Sequence, residues 1–334
     1  EIARAMASEP KVLLLDEPAA GMNPAIKKFV KIALEQNITP YLIYDGLEGL
    51  IDNNIHEVGY KEVAGILHLG GTIIRTSRSK RFLEKKYRHI AMQNLKDKDI
   101  NKLIVLGGNG SFNALNALRQ DHQESKSELE FIGIPTTIDN DIFGTDYCLG
   151  VDTALNMIRS NIDALRDTAS SFKRAFVIEI MGRDSGYLTL VSAMSSGAEL
   201  CIIPEQNTNL DNAKKALKEE IENGRGYVLI LVAEGCDMTS QITAWCEREL
   251  GIETRATILG HIQRGGNPSV YDRQIAFRFV SAAIEHLQSS TPSHHMVAFT
   301  NGEITTLGIE QTSGKTRQLK EELLNLSPSL FFSH

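Results

Sequence analysis

Two aspartates one residue apart, Asp139 and Asp141, stand in Pro135-Thr136-Thr137-Ile138-Asp139-Asn140-Asp141-Ile142-Phe143-Gly144, directly after the apolar run 130–134. That run is short, β-branched and closed by proline, so it reads as a buried strand. Carboxylates just past a strand end lie where open α/β sheets bind ligands and do chemistry. One of them could take a proton from a hydroxyl as a general base; taken alone, the same turn also serves as a cap for the next helix. Other strand ends carry similar equipment. Gly182-Arg183-Asp184-Ser185-Gly186 follows the strand pattern at 176–181, Glu234-Gly235 follows 227–233, and Gly260-His261-Ile262-Gln263-Arg264-Gly265-Gly266 follows 254–259. Arginines for phosphate and carboxylates for hydroxyls suit a phosphorylated polyol. Singly, His261 could be a half-buried histidine, Glu234 a cap, and Arg174 or Arg183 half of a surface ion pair.

A second group of residues suits anions. Residues 103–106 read as a buried strand, Gly107-Gly108-Asn109-Gly110 as a tight turn, and Ser111 as the cap of a helix with apolar face Phe112, Leu115 and Leu118. Strand, glycine turn and helix N-terminus make a phosphate cradle, because backbone N–H groups and the helix dipole both favour negative charge. Gly70-Gly71-Thr72, followed by Arg75 and Arg78, offers close backbone approach beside cationic side chains.

The elements that must position these groups alternate helix and strand from residue 25 onward, with a long amphipathic helix from Val151 to Arg166 and a polar loop at 120–130. A helix is expected at 315–326. The 334 residues suffice for two domains, and 42% hydrophobic content is ordinary for a globular chain. A net charge of -7 gives no general attraction for nucleic acid, so an anion must be held by local arginines. The four cysteines, Cys148, Cys201, Cys236 and Cys246, lack CxxC spacing and read as reduced thiols of a cytoplasmic protein. No signal peptide or run of about eighteen apolar residues is present, so no membrane partner is expected. His294-His295 lacks further ligands for a metal.

Taken in order, Gly70-Gly71-Thr72, Gly107-Gly108-Asn109-Gly110-Ser111, Pro135-Thr136-Thr137-Ile138-Asp139-Asn140-Asp141, Met181-Gly182-Arg183 and Gly260-His261-Ile262-Gln263-Arg264-Gly265-Gly266 closely resemble the bacterial 6-phosphofructokinase family, from about residue 21 to residue 301. The resemblance implies the phosphofructokinase fold: two Rossmann-like α/β domains, each three-layered around a largely parallel sheet, with a substrate cleft between them. The nucleotide-binding domain would comprise 1–150 plus 263–313, and the sugar-phosphate domain 151–262 plus 314–334. It further implies phosphoryl transfer from Mg-ATP to the C1 hydroxyl of fructose 6-phosphate, giving fructose 1,6-bisphosphate and ADP. Asp139 would be the base, with Thr137 and Asp141 beside the reacting oxygen and Arg183 on the transition state. Met181, Gly182, Arg183, Glu234, His261 and Arg264 would line the sugar-phosphate pocket. Arg174 and Arg255 would reach it from a neighbouring subunit of a homotetramer. Arg78, Gly108, Asn109, Gly110 and Ser111 would bind the nucleotide, and Asn109 and Asp141 would serve Mg²⁺. Arg166, Glu199 and Arg225 fit the family's effector pocket, with Lys27 and Lys31 in place of its arginines and Tyr60 and Asn223 in place of its basic residues, implying allosteric control by nucleotide or phosphoenolpyruvate.

Several positions depart from the pattern. Asp16-Glu17-Pro18-Ala19-Ala20 stands where the family has an early glycine loop around the nucleotide phosphates, and residues 3–24 resemble the acidic-strand motif of ATP-binding-cassette ATPases. No GxxxxGK[ST] loop accompanies that motif, so an ATPase of that type is not expected. Two carboxylates near a polyphosphate would repel it. Asn109 replaces an aspartate, and Thr136 a glycine; Gly110 favours ATP over pyrophosphate. A sugar-phosphate-binding homologue with impaired turnover and a pyrophosphate-dependent enzyme are the alternatives.

Overall fold

The computed structural model describes residues 11–15, 22–125, 129–289 and 294–331. Asp16 to Gly21 lie outside them. In chain order the elements are β1 (Lys11–Leu15), α1 (Met22–Glu35), β2 (Thr39–Ile43), α2 (Gly46–Ile51), β3 (Ile55–Glu57), α3 (Lys85–Asp97), β4 (Lys102–Gly107), α4 (Asn109–Ser125), β5 (Glu130–Pro135) and α5 (Val151–Phe172). There follow β6 (Ala175–Ile180), α6 (Tyr187–Ser196), β7 (Leu200–Ile202), α7 (Leu210–Glu222), β8 (Val228–Ala233), α8 (Thr239–Trp245), β9 (Thr254–Ile258), α9 (Val270–Gln288), β10 (His294–Thr300) and β11 (Glu303–Gly308). The short helix α10 (Ile309–Thr312) and α11 (Glu321–Phe331) complete them. Two compact units result, one from residues 1–137, 142–153 and 266–317, the other from 138–141, 154–265 and 318–334.

The first unit holds a sheet of order β11-β10-β5-β4-β1-β2-β3. Its central strands run parallel, and antiparallel β3 and β11 close the two edges. Parallel strands all end on the same side of a sheet. Gly107 pairs with Pro135, so the glycine turn and the Thr136-Thr137 segment leave the sheet as neighbours. Strands β4 and β5 are buried almost throughout, as their unbroken apolar runs require. Gly133 is glycine for packing: a Cβ there would collide with the Phe112 ring, which covers β5 from α4.

Fully buried Asp272, near the start of α9, ties the unit together. It accepts hydrogen bonds from Tyr147 Oη at 2.7 Å, Gly150 N–H at 2.9 Å, and Thr153 N–H and Oγ1 at 2.8 and 2.5 Å. The chain returning from the Asp139 segment is thereby fixed where it enters α5. Burial raises the carboxyl's proton affinity, and the donors of Thr153, Gly150 and Tyr147 oppose that rise.

The second unit holds an all-parallel sheet of order β7-β8-β6-β9. Every residue of β8 is buried. Its core joins Val177, Ile202, Val228, Ile230 and Val232 to Leu217 of α7 and to Ile242 and Trp245 of α8.

Three local expectations change. Helix α4 runs to Ser125 rather than yielding to a loop at Gln120, because buried Asp121 on it binds Arg88 Nε of α3 at 2.5 Å. That helix also starts at Asn109, so Ser111 lies in its first turn and the Phe112 N–H reaches the Gly108 carbonyl at 3.1 Å. The final helix starts at Glu321 instead of Lys315, since Gly314 turns at φ 74° and Thr316 bridges to Ile142.

Replacing Asp272 by asparagine would set an amide N–H₂ against some of four donors in a buried site. A loss of roughly 2–4 kcal/mol is expected, read as a lower urea midpoint at unchanged fold by circular dichroism. An unshifted midpoint would show that the four bonds contribute nothing net.

Candidate active site

The second unit gathers its polar groups by strand order. Strands β7, β8, β6 and β9 end along one edge, and deliver there Glu205, Glu234, the Met181–Arg183 backbone and the 260–264 turn. Asp139 and Asp141 belong to this unit although they follow β5 in sequence. The nearest following helix is α5 at Val151, so neither aspartate caps it directly.

Asp139 is half-buried and Asp141 is buried. Burial pushes the Asp139 carboxyl up to about 6, and the negative charges of Asp141 and Glu234 push the same way. Arg264 and Arg183 pull it back. Such a group ionises near neutral pH, yet holds a proton far more readily than an ordinary aspartate. This is the balance a general base at neutral pH needs. Arg264 is half-buried, and its Nε is buried without a hydrogen-bond partner. A buried donor of that kind costs free energy until an anion supplies the missing acceptor.

The backbone carrying Arg183 is unusual. Gly182 has φ 151° and Arg183 has φ 56°, a left-handed conformation rare for a long side chain. The turn closes with the Ser185 N–H on the Gly182 carbonyl at 2.9 Å. Glu234 Oε1 accepts both the Gly182 N–H at 3.2 Å and the Arg183 N–H at 2.7 Å. One carboxylate oxygen of Glu234 therefore holds the turn. Arg183 itself is exposed, as is His261 on the turn that bears Arg264.

Gln263 is the residue that sequence reasoning missed here. It is fully buried, accepts the Met181 N–H at 3.1 Å through Oε1 and donates to the Gly260 carbonyl at 3.0 Å through Nε2. It thus stitches the end of β6 to the turn of His261 and Arg264. No periodic signal marked it, because the Met181 backbone it meets lies 82 residues away.

Arg174 and Arg255 share one partner, Glu253, which accepts from Arg174 Nε at 2.7 Å and pairs with Arg255. These hydrogen bonds and charges, Arg174 first, lower the Glu253 carboxyl below its ordinary range. Arg174 also lies over the Phe172 ring at 4.7 Å. Among the effector candidates, buried Glu199 pairs with Arg225 and accepts the Leu229 N–H at 2.5 Å. Arg166 donates to the Ser196 carbonyl. Lys27 and Lys31 belong to α1 of the first unit, where Lys27 sits over Tyr60 and Lys31 pairs with Glu35 at 3.7 Å.

The first unit presents Gly108, Asn109, Gly110 and Ser111 at the N-terminus of α4, with Thr136 beside them on the end of β5. A Cβ at Gly110 would meet nothing within 4 Å. Thr136 is buried, and its hydroxyl donates to the Ile134 carbonyl at 3.0 Å, so it adds no polar group to that edge. Thr137 follows it and is half-buried. Buried Asn23 holds the Gly70 loop, donating to the Leu69 and Gly70 carbonyls at 3.0 and 3.3 Å and accepting the Ile73 N–H at 2.9 Å. Arg75 is committed to Asp45 at 3.0 Å, and Arg78 is exposed.

Residues 11–287 match the family model described as Phosphofructokinase, and the chain belongs to that family. The ATP-dependent 6-phosphofructokinase of Sulfurimonas denitrificans is 52% identical over 307 residues, covering 92% of this chain and 94% of that relative. The Pichia pastoris phosphofructokinase in the T-state superposes with a TM-score of 0.85 at 30% identity over 97% of this chain. Phosphofructokinase from Saccharomyces cerevisiae gives 0.82 at 28% identity over 96%. This chain spans 37% and 46% of those two fungal chains. The match to the family supports the phosphofructokinase fold with its α/β sheets.

Removing the Arg264 charge as Arg264→Leu should move the Asp139 pKa above about 6, and Glu234→Gln should move it below, both read from carboxyl ¹³C shifts in a pH titration. Shifts of the opposite sign would contradict the electrostatic account.

Proposed function

We propose that this chain is an ATP-dependent 6-phosphofructokinase, transferring the terminal phosphoryl group of ATP to the C1 hydroxyl of fructose 6-phosphate. The observation that carries this reading is Asp139: a half-buried carboxyl raised to about 6, beside Asp141, with Arg183 and Arg264 within electrostatic reach. Its ionised form takes the proton from the C1 hydroxyl as the oxygen attacks phosphorus. Asp141 and Thr137 hold the hydroxyl's surroundings, and Arg183 answers the charge that builds on the transferring group. Arg264 and His261 bind the sugar's own phosphate; the partnerless Arg264 Nε supports this. Glu234, Met181 and Gly182 line the pocket, the Glu234 carboxylate accepting from sugar hydroxyls where it is not already engaged by the turn.

Donor binding is assigned to the first unit. Gly108, Gly110 and Ser111 offer backbone N–H groups and a hydroxyl at the start of α4, and Arg78 adds a cation. The space at Gly110 and the inward turn of the Thr136 hydroxyl suit a nucleotide better than a pocket filled by charged side chains would. Among the described residues no group of three or more His, Cys, Asp or Glu could hold a metal ion. Magnesium brought with the nucleotide would neutralise phosphate charge; Asp141 would offer it a carboxylate, and Asn109 an oxygen without charge.

Among the described residues no helix is long and apolar enough to cross a membrane. We further assign a cytoplasmic homotetramer, in which Arg174 and Arg255 serve a neighbouring copy's sugar phosphate. Their joint retention by Glu253 supports a common task. An effector role for Arg166, Glu199 and Arg225 of the second unit, and for Lys27 and Lys31 of the first, belongs to the same reading. One alternative has its basis in the sequence: Asp16 and Glu17 stand where the resembling family carries glycine, which favours a homologue that binds sugar phosphate with weakened turnover. Likeness to ATP-binding-cassette ATPases over residues 3–24 is confined to that segment.

Steady-state phosphorylation of fructose 6-phosphate with Mg-ATP is the test. Asp139→Asn should lower kcat by roughly 10²–10⁴-fold while sugar-phosphate binding stays within a few-fold. Unchanged kcat would refute the assigned base, and tight sugar binding with no turnover in the parent chain would favour the alternative.

A further inference from the structure

The turn that carries Arg183 is gripped at its far end by a residue with no role so far. Glu205 lies just past the end of β7 and accepts the Gly186 N–H with both carboxylate oxygens, at 2.8 and 3.1 Å. Gly186 has no room for a side chain, since a Cβ would press on Glu205 Oε2 and on Ile203. The contact is therefore backbone against carboxylate in a closed slot. Gly182 is equally constrained, as a Cβ there would collide with the Ser185 carbonyl. Gly235 is a third such point, where a Cβ would strike the Arg183 carbonyl.

These contacts bracket Arg183. Glu234 takes the N–H groups of residues 182 and 183, and Glu205 takes that of residue 186. Between them the chain adopts φ 56° at Arg183, a strained conformation for a non-glycine residue that persists only where its surroundings enforce it. The turn's internal bond, Ser185 N–H to Gly182, does not fix its attitude toward the sheet. Two carboxylates on neighbouring strands do.

We propose that Glu205 is a positioning residue for phosphoryl transfer: together with Glu234 it holds the 182–186 turn so that Arg183 stands ready for the transferring group. This rests on the role given to Arg183 above. A rival role is plain stabilisation of α6, whose N-cap is Gly186 and whose N-terminus would favour any nearby negative charge. The two differ in what they do to catalysis through Arg183.

The experiment is a double-mutant cycle on the full chain with fructose 6-phosphate and Mg-ATP. Glu205→Ala should lower kcat by roughly ten- to a hundredfold with KM for the sugar changed little. Glu205→Gln keeps an acceptor for the Gly186 N–H and should recover most of that loss. In an Arg183→Ala background, adding Glu205→Ala should change kcat by less than about twofold, because the group being positioned is gone. Equal losses in both backgrounds would overturn the positioning role while leaving Arg183 in place. If Arg183→Ala alone leaves kcat and kcat/KM intact, the reading of Arg183 and this proposal both fall. Should Glu205→Ala not fold, Glu205→Gln and Glu205→Asp carry the cycle: Asp, too short to reach Gly186, should lose kcat only when Arg183 is present, and a loss independent of Arg183 would overturn the proposal.

Discussion

A carboxyl taken partly out of water and set beside other carboxylates resists ionisation, and the second unit is organised around that cost at Asp139. Burial, Asp141 and Glu234 all raise its proton affinity, while Arg264 and Arg183 hold the rise to about 6. The cations must therefore be fixed in place. Strand order provides the coarse placement, since the parallel strands of this unit end along one edge. Side-chain to backbone bonds provide the fine placement: Gln263 to Met181, and Glu234 to Gly182 and Arg183.

The first unit, to which donor binding is assigned as a proposal, would offer donors to an anion with few charges. Its apparatus is the glycine turn at the start of α4 and the Gly70 loop pinned by buried Asn23. Glycines allow close approach, and packing decides where that approach occurs. Gly133 lets Phe112 sit on β5, which brings α4 down onto the sheet. Buried Asp272 then fixes the chain as it enters α5.

Much of this was legible in the sequence. The apolar runs of β4, β5, β6 and β8 and the glycine or acidic residues after them gave strand ends and their chemistry, because short β-branched runs closed by glycine or proline leave little choice. Helix limits were less legible. The stretch from Gln120 to Ser125 is polar, and only the tertiary partner Arg88 for Asp121 shows why it stays helical. Arg183 and Glu234 were legible as side chains with chemistry, but the backbone bonds between them were not: a carboxylate that accepts N–H groups from another strand's turn leaves no periodic trace. Gln263, Glu205 and Glu253 were missed for the same reason, their partners being 82, 19 and 79 residues away.

The most direct test of Asp139 as the base is kcat/KM for fructose 6-phosphate as a function of pH in the parent enzyme, divided by the same profile for Asp139→Asn. The division removes titration of the sugar phosphate and of every other group the two proteins share. Only the ionised carboxylate can accept the proton, so the ratio should fall about tenfold per pH unit below an inflection near about 6 and level off above it. A ratio that stays constant through that range would contradict the assignment.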